Sequence, residues 1–243
     1  MKINILHLYP DLLNLYGDKG NIECLKKRLI WRGIDVSYHT YTSDTKEALS
    51  LEDVDILFIG GGSDKEEKNA CLKLFQYKDE IKKYVENNGT LVAVCGAYPI
   101  LGKYFEFENE KIDGLDILDI YTKYNNNRII NNVVLQSSLI KSKIVGFENH
   151  SGRTYINNHT PLGEVVYGKG NNDNGDFEGV VYKNVVATNL HGPLFPKNPE
   201  LCDYVLTCAL KRKYSDFDVL TPLDDTMENT ANEYVIKNYC TVK

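Results

Sequence analysis

Short apolar runs alternate with amphipathic stretches through the first hundred residues. Residues 2–8, 55–59 and 90–94 are apolar runs of strand length, while 21–32 and 64–88 carry apolar residues at helical spacing. Apolar strands separated by helices are typical of a parallel sheet that is covered on both faces. The pattern therefore predicts a doubly wound α/β fold with a mostly parallel sheet.

The pattern changes in the middle of the chain, where Asn- and Gly-rich turns separate short β-type runs. These runs are 133–136, 143–147, 163–167, 179–182 and 185–190. We interpret them as an antiparallel extension of the same sheet within a single domain. Helical spacing returns at 199–212. We place the domain at 1–213 and an acidic C-terminal appendage at 214–243, with a short helix near 231–237.

Charge and composition exclude several classes of protein. The 243 residues include 28 Lys and Arg against 34 Asp and Glu, a net charge of -6, which argues against nucleic-acid binding. No apolar run approaches the length of a membrane span, and the N-terminus lacks a signal peptide. The six cysteines form no CxxC pair, so we expect reduced thiols and no metal site. A cytoplasmic protein that is not a membrane protein is expected.

Cys95 stands at the end of the apolar run 90–94 and is followed by the small residues Gly96 and Ala97. This order is typical of a nucleophile elbow, a strained turn between a strand and a helix. A helix N-terminus there would lower the thiol pKa, and its amides could hold an oxyanion. The alternative is a buried cysteine at the end of a core strand.

Two other segments favour the nucleophile interpretation. The glycine triplet 60–62 follows an apolar strand, so a parallel sheet would bring it to the same carboxyl edge as Cys95. A glycine triplet is also a common strand-to-helix turn. His191 closes the run 185–190 before a Gly-Pro turn, which makes it the strongest of the five histidines as the base that a thiol requires.

Together these residues resemble class I glutamine amidotransferases of the cobyric acid synthase type. The motif 95–98, the glycine triplet and the distant His191 carry this resemblance. Further segments are similar to glutaminase subunits of the GatD type, which work with a Mur-ligase-like subunit, MurT, on lipid II. These segments are 16–22, 114–119, 146–154, 190–194 and 196–199, and the resemblance covers about residues 2–213.

The resemblance implies a reaction and roles for particular residues. Cys95 would attack the side-chain amide of L-glutamine, form a glutamyl thioester and release ammonia, while His191 moves the protons. Backbone amides at Gly61, Gly62 and Gly96 would bind the substrate oxyanion. Arg128 would hold the α-carboxylate of glutamine, for which a guanidinium fork is suited. The alternative for Arg128 is an exposed loop residue.

The resemblance also implies a heterodimer with an ATP-dependent MurT-like ligase that amidates the D-glutamate of lipid II. The chain contains no GxxxxGK[ST] loop, so ATP chemistry is expected in the partner, and no cofactor is expected here. Two alternatives stay open. One is a glutaminase that feeds another ligase with a cobyrinate-like acceptor; the other is a catalytically dead regulatory subunit.

Departures from the family pattern keep the second alternative open. Ser63, Ala97 and Pro99 replace residues that are usual in the family. Many class I amidotransferases also carry an acid two residues after the histidine, where this chain has Pro193. Because an imidazole without a carboxylate is poorly oriented, we expect the isolated chain to be a weak glutaminase.

Overall fold

The computed structural model describes residues 1–108 and 110–240. One sheet has six strands: β1 (Lys2–Leu8), β2 (Asp35–Tyr41), β3 (Ile56–Ile59), β4 (Thr90–Val94), β11 (Val180–Tyr182) and β12 (Val185–Thr188). Their order across the sheet is β11-β12-β4-β3-β1-β2, and neighbouring strands are parallel except where β11 meets β12. The central strands β3 and β4 are buried along their whole length, as the uninterrupted apolar runs predict.

Helices cover both faces of this sheet. They are α1 (Lys19–Ile30), α2 (Asp64–Phe75), α3 (Lys78–Glu86), α4 (Ala97–Ile100), α5 (Pro199–Lys213) and α6 (Thr226–Tyr239). On β4, Leu91 packs into the core beneath α2 and α3, while Val92 packs into the core beneath α1 and α5. This alternation confirms the doubly wound α/β prediction. The helix predicted over 64–88 is two helices, α2 and α3.

The prediction that the middle strands extend the parallel sheet is correct for two of them: β12 continues it parallel to β4, and β11 adds an antiparallel strand beside β12. The other strands form a second sheet, of order β10-β9-β7-β5-β6, with β8 paired to β7. They are β5 (Tyr104–Phe107), β6 (Glu110–Asp113), β7 (Tyr121–Gln136), β8 (Ile144–Tyr155), β9 (Gly163–Tyr167) and β10 (Phe177–Glu178). Period-2 patterning identifies strands but not their partners, and the long strands β7 and β8 pair with each other.

The chain beyond residue 213 packs on the body through α6, which is longer than the helix predicted over 231–237. Asn232 donates hydrogen bonds to the carbonyls of Lys143 and Lys197 at 3.2 and 2.9 Å. Asp225, just before α6, pairs with the buried Arg28 at 2.6 Å. A domain boundary where α5 ends remains our proposal. Across the described residues, no helix has both the length and the apolar character needed to cross a membrane.

Candidate active site

Three neighbouring strands deliver the candidate residues to one edge of the parallel sheet. β4 lies between β3 and β12, with Ile59 beside Ala93 and Thr188 beside Val94. The glycine triplet, Cys95 and the segment that contains His191 therefore leave the sheet together. The Cys95 amide also donates to the Thr188 carbonyl at 2.8 Å. The structure thus brings together segments that are about 130 residues apart in the chain.

Cys95 occupies a left-handed backbone conformation, with φ of 55°. This conformation costs a side-chain-bearing residue about 1–2 kcal/mol, and such strain is concentrated at functional sites. The glycines around it are required sterically: a Cβ on Gly61 would lie 2.5 Å from the Cys95 Cβ, and one on Gly96 would overlap the Glu67 carboxylate. The backbone at Cys95 has the strained turn expected of a nucleophile elbow.

The Cys95 thiol is not acidified in this chain, contrary to the sequence-based expectation. Burial raises its pKa well above the usual value, and the charges of Glu67 and Asp18 raise it further. The Gly96 amide and the Arg128 charge act in the opposite direction but do not compensate. Helix α4 has only four residues, so its dipole is too short to offset burial.

Glu67 is a site residue that the sequence analysis missed. Its carboxyl lies against Gly96, and the residue lines the same pocket as Cys95 and Arg128. Burial and the charge of Asp64 raise its pKa to about 8, while the Gly62 amide opposes this shift. A sequence signal for Glu67 did exist: it is an acidic residue in the first turn of the helix that follows the glycine triplet, one turn after Asp64.

His191 is fully buried between two aromatic rings. Tyr16 stacks on the imidazole at a centroid distance of 3.9 Å, and the Phe147 ring meets it edge-on at 5.4 Å. Among residues 1–108 and 110–240, neither ring nitrogen has a hydrogen-bond partner. Burial, together with the charges of His150 and Lys197, lowers the pKa of His191 to about 4. The imidazole is therefore neutral at pH 7.

Asp18 anchors the glycine triplet through a hydrogen bond to its backbone. Its buried carboxylate accepts a hydrogen bond from the Gly61 amide at 2.9 Å. Burial raises the pKa of Asp18 to about 6, and the bond from Gly61 partly opposes this. The Gly61 amide is thus bonded beneath the pocket, whereas Gly62 and Gly96 line the pocket, with their amides directed at Glu67 and the Cys95 sulfur.

Arg128 lies on strand β7 rather than in a loop. Its guanidinium donates to the Asn149 side chain at 2.5 Å, to the Asn149 carbonyl at 3.0 Å and to the Ser151 hydroxyl at 3.2 Å. Asn149 in turn donates to the Tyr16 hydroxyl at 2.8 Å. Hydrogen bonds and stacking thus connect Arg128 to His191 through Asn149 and Tyr16.

The departures from the family pattern do not disturb the local structure. Ser63 caps α2, because its hydroxyl and amide both donate to Glu66, at 2.7 and 3.1 Å. Pro99 lies in the first turn of α4, where an amide has no helical partner to lose. In the described part of the chain, no three His, Cys, Asp or Glu side chains are arranged to hold a metal ion.

Comparison with known proteins agrees with this geometry. Residues 4–199 match the model of the CobB/CobQ-like glutamine amidotransferase domain. The chain belongs to this family. Two solved structures share its fold, each with a TM-score of 0.54. One is a glutamine amidotransferase that is 17% identical and covers 84% of this chain; the other, from Thermotoga maritima, is 13% identical and covers 97%.

Curated relatives define the type more narrowly. The chain is 40% identical to subunit GatD of the glutamine-hydrolyzing lipid II isoglutaminyl synthase of Staphylococcus aureus (strain N315), covering 97% of this chain and 95% of the relative. It is 38% identical to the GatD subunit of Streptococcus pneumoniae (strain ATCC BAA-255 / R6), covering 96% and 90%. A "probable cobyric acid synthase" of Methanocaldococcus jannaschii is 28% identical over 74% of this chain, but only 38% of that protein is covered.

Proposed function

We propose that this chain is the glutaminase subunit of a lipid II isoglutaminyl synthase. It hydrolyses L-glutamine and supplies the ammonia to an ATP-dependent, MurT-like ligase subunit in a cytoplasmic heterodimer. The ligase then amidates the D-glutamate of lipid II to D-isoglutamine during peptidoglycan synthesis. The observation that carries the proposal is the strained Cys95 elbow, which shares one pocket with Arg128 in a chain that matches GatD subunits over almost its full length.

The reaction begins when the Cys95 sulfur attacks the side-chain carbonyl carbon of glutamine. The carbonyl oxygen becomes an oxyanion, to which the Gly62 amide, once released from Glu67, and the Gly96 amide, once released from the Cys95 sulfur, can donate. His191 takes the thiol proton and delivers it to the leaving nitrogen, so that ammonia departs and a glutamyl thioester remains. Water then attacks the thioester and releases glutamate. Because the Glu67 carboxyl lies against Gly96, it must swing aside when glutamine enters.

Arg128 binds the α-carboxylate of glutamine in this scheme. Its guanidinium is held on a strand by Asn149 and Ser151 and lines the pocket that contains Cys95. Because this planar guanidinium is already oriented, it loses little conformational freedom when it donates two hydrogen bonds to a carboxylate. Arg128 therefore fixes one end of the substrate while the amide at the other end meets the thiol.

Proton transfer from Cys95 to His191 is unfavourable in the isolated chain. The thiol pKa is raised well above its usual value and the imidazole pKa is lowered to about 4, so the ion pair is scarcely populated. Glu200, the next acid after His191, is occupied by the amides of Lys141 and Ser142 at 3.0 and 2.8 Å. We propose that the ligase subunit brings a carboxylate or an ordering contact to the imidazole.

The acceptor can be tested directly with the purified chain and its partner. With ATP, L-glutamine and lipid II, the pair should release glutamate and amidated lipid II in equal amounts. A cobyrinate-like acid in place of lipid II should remain unamidated. If the cobyrinate-like acid is amidated and lipid II is not, the chain instead supplies ammonia to a ligase with a cobyrinate-like acceptor. A catalytically dead subunit would fail to be labelled at Cys95 by a glutamine-analogue diazo-ketone.

A further inference from the structure

Two cysteines outside the active site face each other where α1 packs on α5. The Sγ atoms of Cys24 and Cys202 lie 3.9 Å apart. Cys202 is fully buried, whereas Cys24 is half-buried and lines an open groove with Trp31, Phe195 and Pro196. A small oxidant can therefore reach one sulfur of the pair from solvent.

The two sulfurs differ in acid strength. The hydrogen bond with the Cys202 thiol lowers the pKa of Cys24, burial opposes this, and the nearby Arg28 charge lowers it further. Burial raises the pKa of Cys202 well above its usual value. Because the thiolate is the reactive form of cysteine, Cys24 is the sulfur that reacts first, and Cys202 is placed to react second.

We propose that Cys24 and Cys202 form a site of oxidative modification at which a hydroperoxide converts two thiols to a disulfide. The Cys24 thiolate attacks one peroxide oxygen, the O–O bond breaks, and the leaving oxygen departs as water or an alcohol after taking up the Cys24 proton. Cys24 becomes a sulfenic acid. The Cys202 sulfur then attacks the Cys24 sulfur, the S–O bond breaks, and water leaves with the Cys202 proton. The two thiols lose two electrons and the peroxide gains them.

The cross-link would join the two helices that flank the catalytic histidine. A disulfide requires an S–S distance of about 2.05 Å, so the sulfurs must approach by about 2 Å. Helix α1 begins directly after Tyr16 and Asp18, and α5 begins shortly after His191. Oxidation would therefore link the helix that follows Tyr16, whose ring stacks on the imidazole, to the helix that follows His191.

The test uses the full chain with Cys95→Ala, which removes the catalytic thiol from the chemistry. After treatment with a slight excess of hydrogen peroxide, the intact mass should fall by two hydrogen atoms. Peptide mapping without reductant should recover a Cys24–Cys202 linked peptide, and dithiothreitol should reverse both changes. A chain in which Cys24 stays alkylatable, or passes to a sulfinic acid with no linked peptide, would overturn the proposal.

Three variants in the same background separate the two sulfurs. Cys202→Ala should stop at a sulfenic acid on Cys24 that dimedone traps, and Cys24→Ser should give no cross-link and no trapping at Cys202. Cys208→Ser, also on α5, should form the linked peptide as the parent does. Circular dichroism confirms that each variant is folded. Equal cross-linking in the Cys24→Ser and parent chains would also refute the site.

Discussion

The two sheets of this molecule contribute different parts of one site. The parallel sheet presents Cys95, His191 and the glycine triplet, all at the ends of buried strands. The second sheet contributes Arg128 and Asn149 from the faces of long paired strands, where Arg128 is exposed. In the proposed mechanism, the reacting groups therefore stand on the most buried backbone, and the substrate-binding groups stand on a more accessible one.

In the proposed mechanism, this difference separates the groups that transfer protons from the groups that bind substrate. Groups that exchange protons need fixed positions, which buried parallel strands supply, but burial also shifts the pKa values of Cys95 and His191 away from each other. Arg128 retains access to solvent and needs only a correct direction, which Asn149 supplies. The predictions that follow test each side of the comparison in turn.

The largest effect is expected on the parallel sheet, at the nucleophile. Cys95→Ala should lower glutamine hydrolysis by about 10⁴-fold or more, because Cys95 is the one cysteine of the described residues that lines the candidate active-site pocket. Glutamate release by the complex, followed over time, measures the loss. Cys71→Ala should retain most activity, and ammonia-driven amidation should survive Cys95→Ala. Glutaminase activity in purified Cys95→Ala well above about one part in 10⁴ of the parent rate would refute the assignment.

The second effect concerns the His191 imidazole, which has no hydrogen-bond partner in the part of the chain that the structure describes. Addition of the proposed MurT-like partner should raise glutamine hydrolysis by up to about 10⁴-fold, the cost of losing a carboxylate that orients a catalytic histidine. Rates of glutamate release with and without the partner measure this increase, and the partner with Cys95→Ala is the background. Equal rates would show that Cys95 and His191 are sufficient without the partner.

The third effect tests the second sheet. Arg128→Ala should lower kcat/KM for glutamine roughly 10- to 150-fold, because a charge-assisted contact is worth about 1.5–3 kcal/mol. Arg128→Lys should also be impaired, since a point charge does not replace a fork. Lys123→Ala removes an exposed cation from the same strand and serves as the control. An unchanged kcat/KM in Arg128→Ala would make this residue a structural part of the strand.

The smallest effect lies between the sheets, at Glu67. Its ionised carboxylate disfavours the Cys95 thiolate, so Glu67→Gln should lower the thiol pKa and speed alkylation by iodoacetamide about 3- to 10-fold above pH 8. Below pH 8, where Glu67 is mostly protonated, the two rates should converge. Glu66→Gln, which changes a carboxylate directed at Ser63, should not alter the profile. Identical profiles for the parent and Glu67→Gln would remove Glu67 from the site.

The sequence predicts where Cys95, His191 and the glycine triplet lie in the fold, for a physical reason. Strand ends can be located from apolar runs, and parallel strands end at one edge, so Cys95, His191 and the glycine triplet could be placed together. Tyr16 and Asn149 could not be placed, because their contacts depend on how the two sheets pack and periodicity does not encode that packing. The raised Cys95 pKa was also missed, since burial outweighs a four-residue helix.

The left-handed backbone at Cys95 has a consequence for the stability of the fold. Any residue with a Cβ at this position carries the strain of φ near 55°, whereas glycine does not. Of two inactive variants, Cys95→Gly should thus unfold at a higher denaturant concentration than Cys95→Ala, although glycine makes the unfolded chain more flexible. The left-handed backbone at Cys95 therefore lowers the stability of the folded state, and it does so at a residue whose side chain lines the pocket.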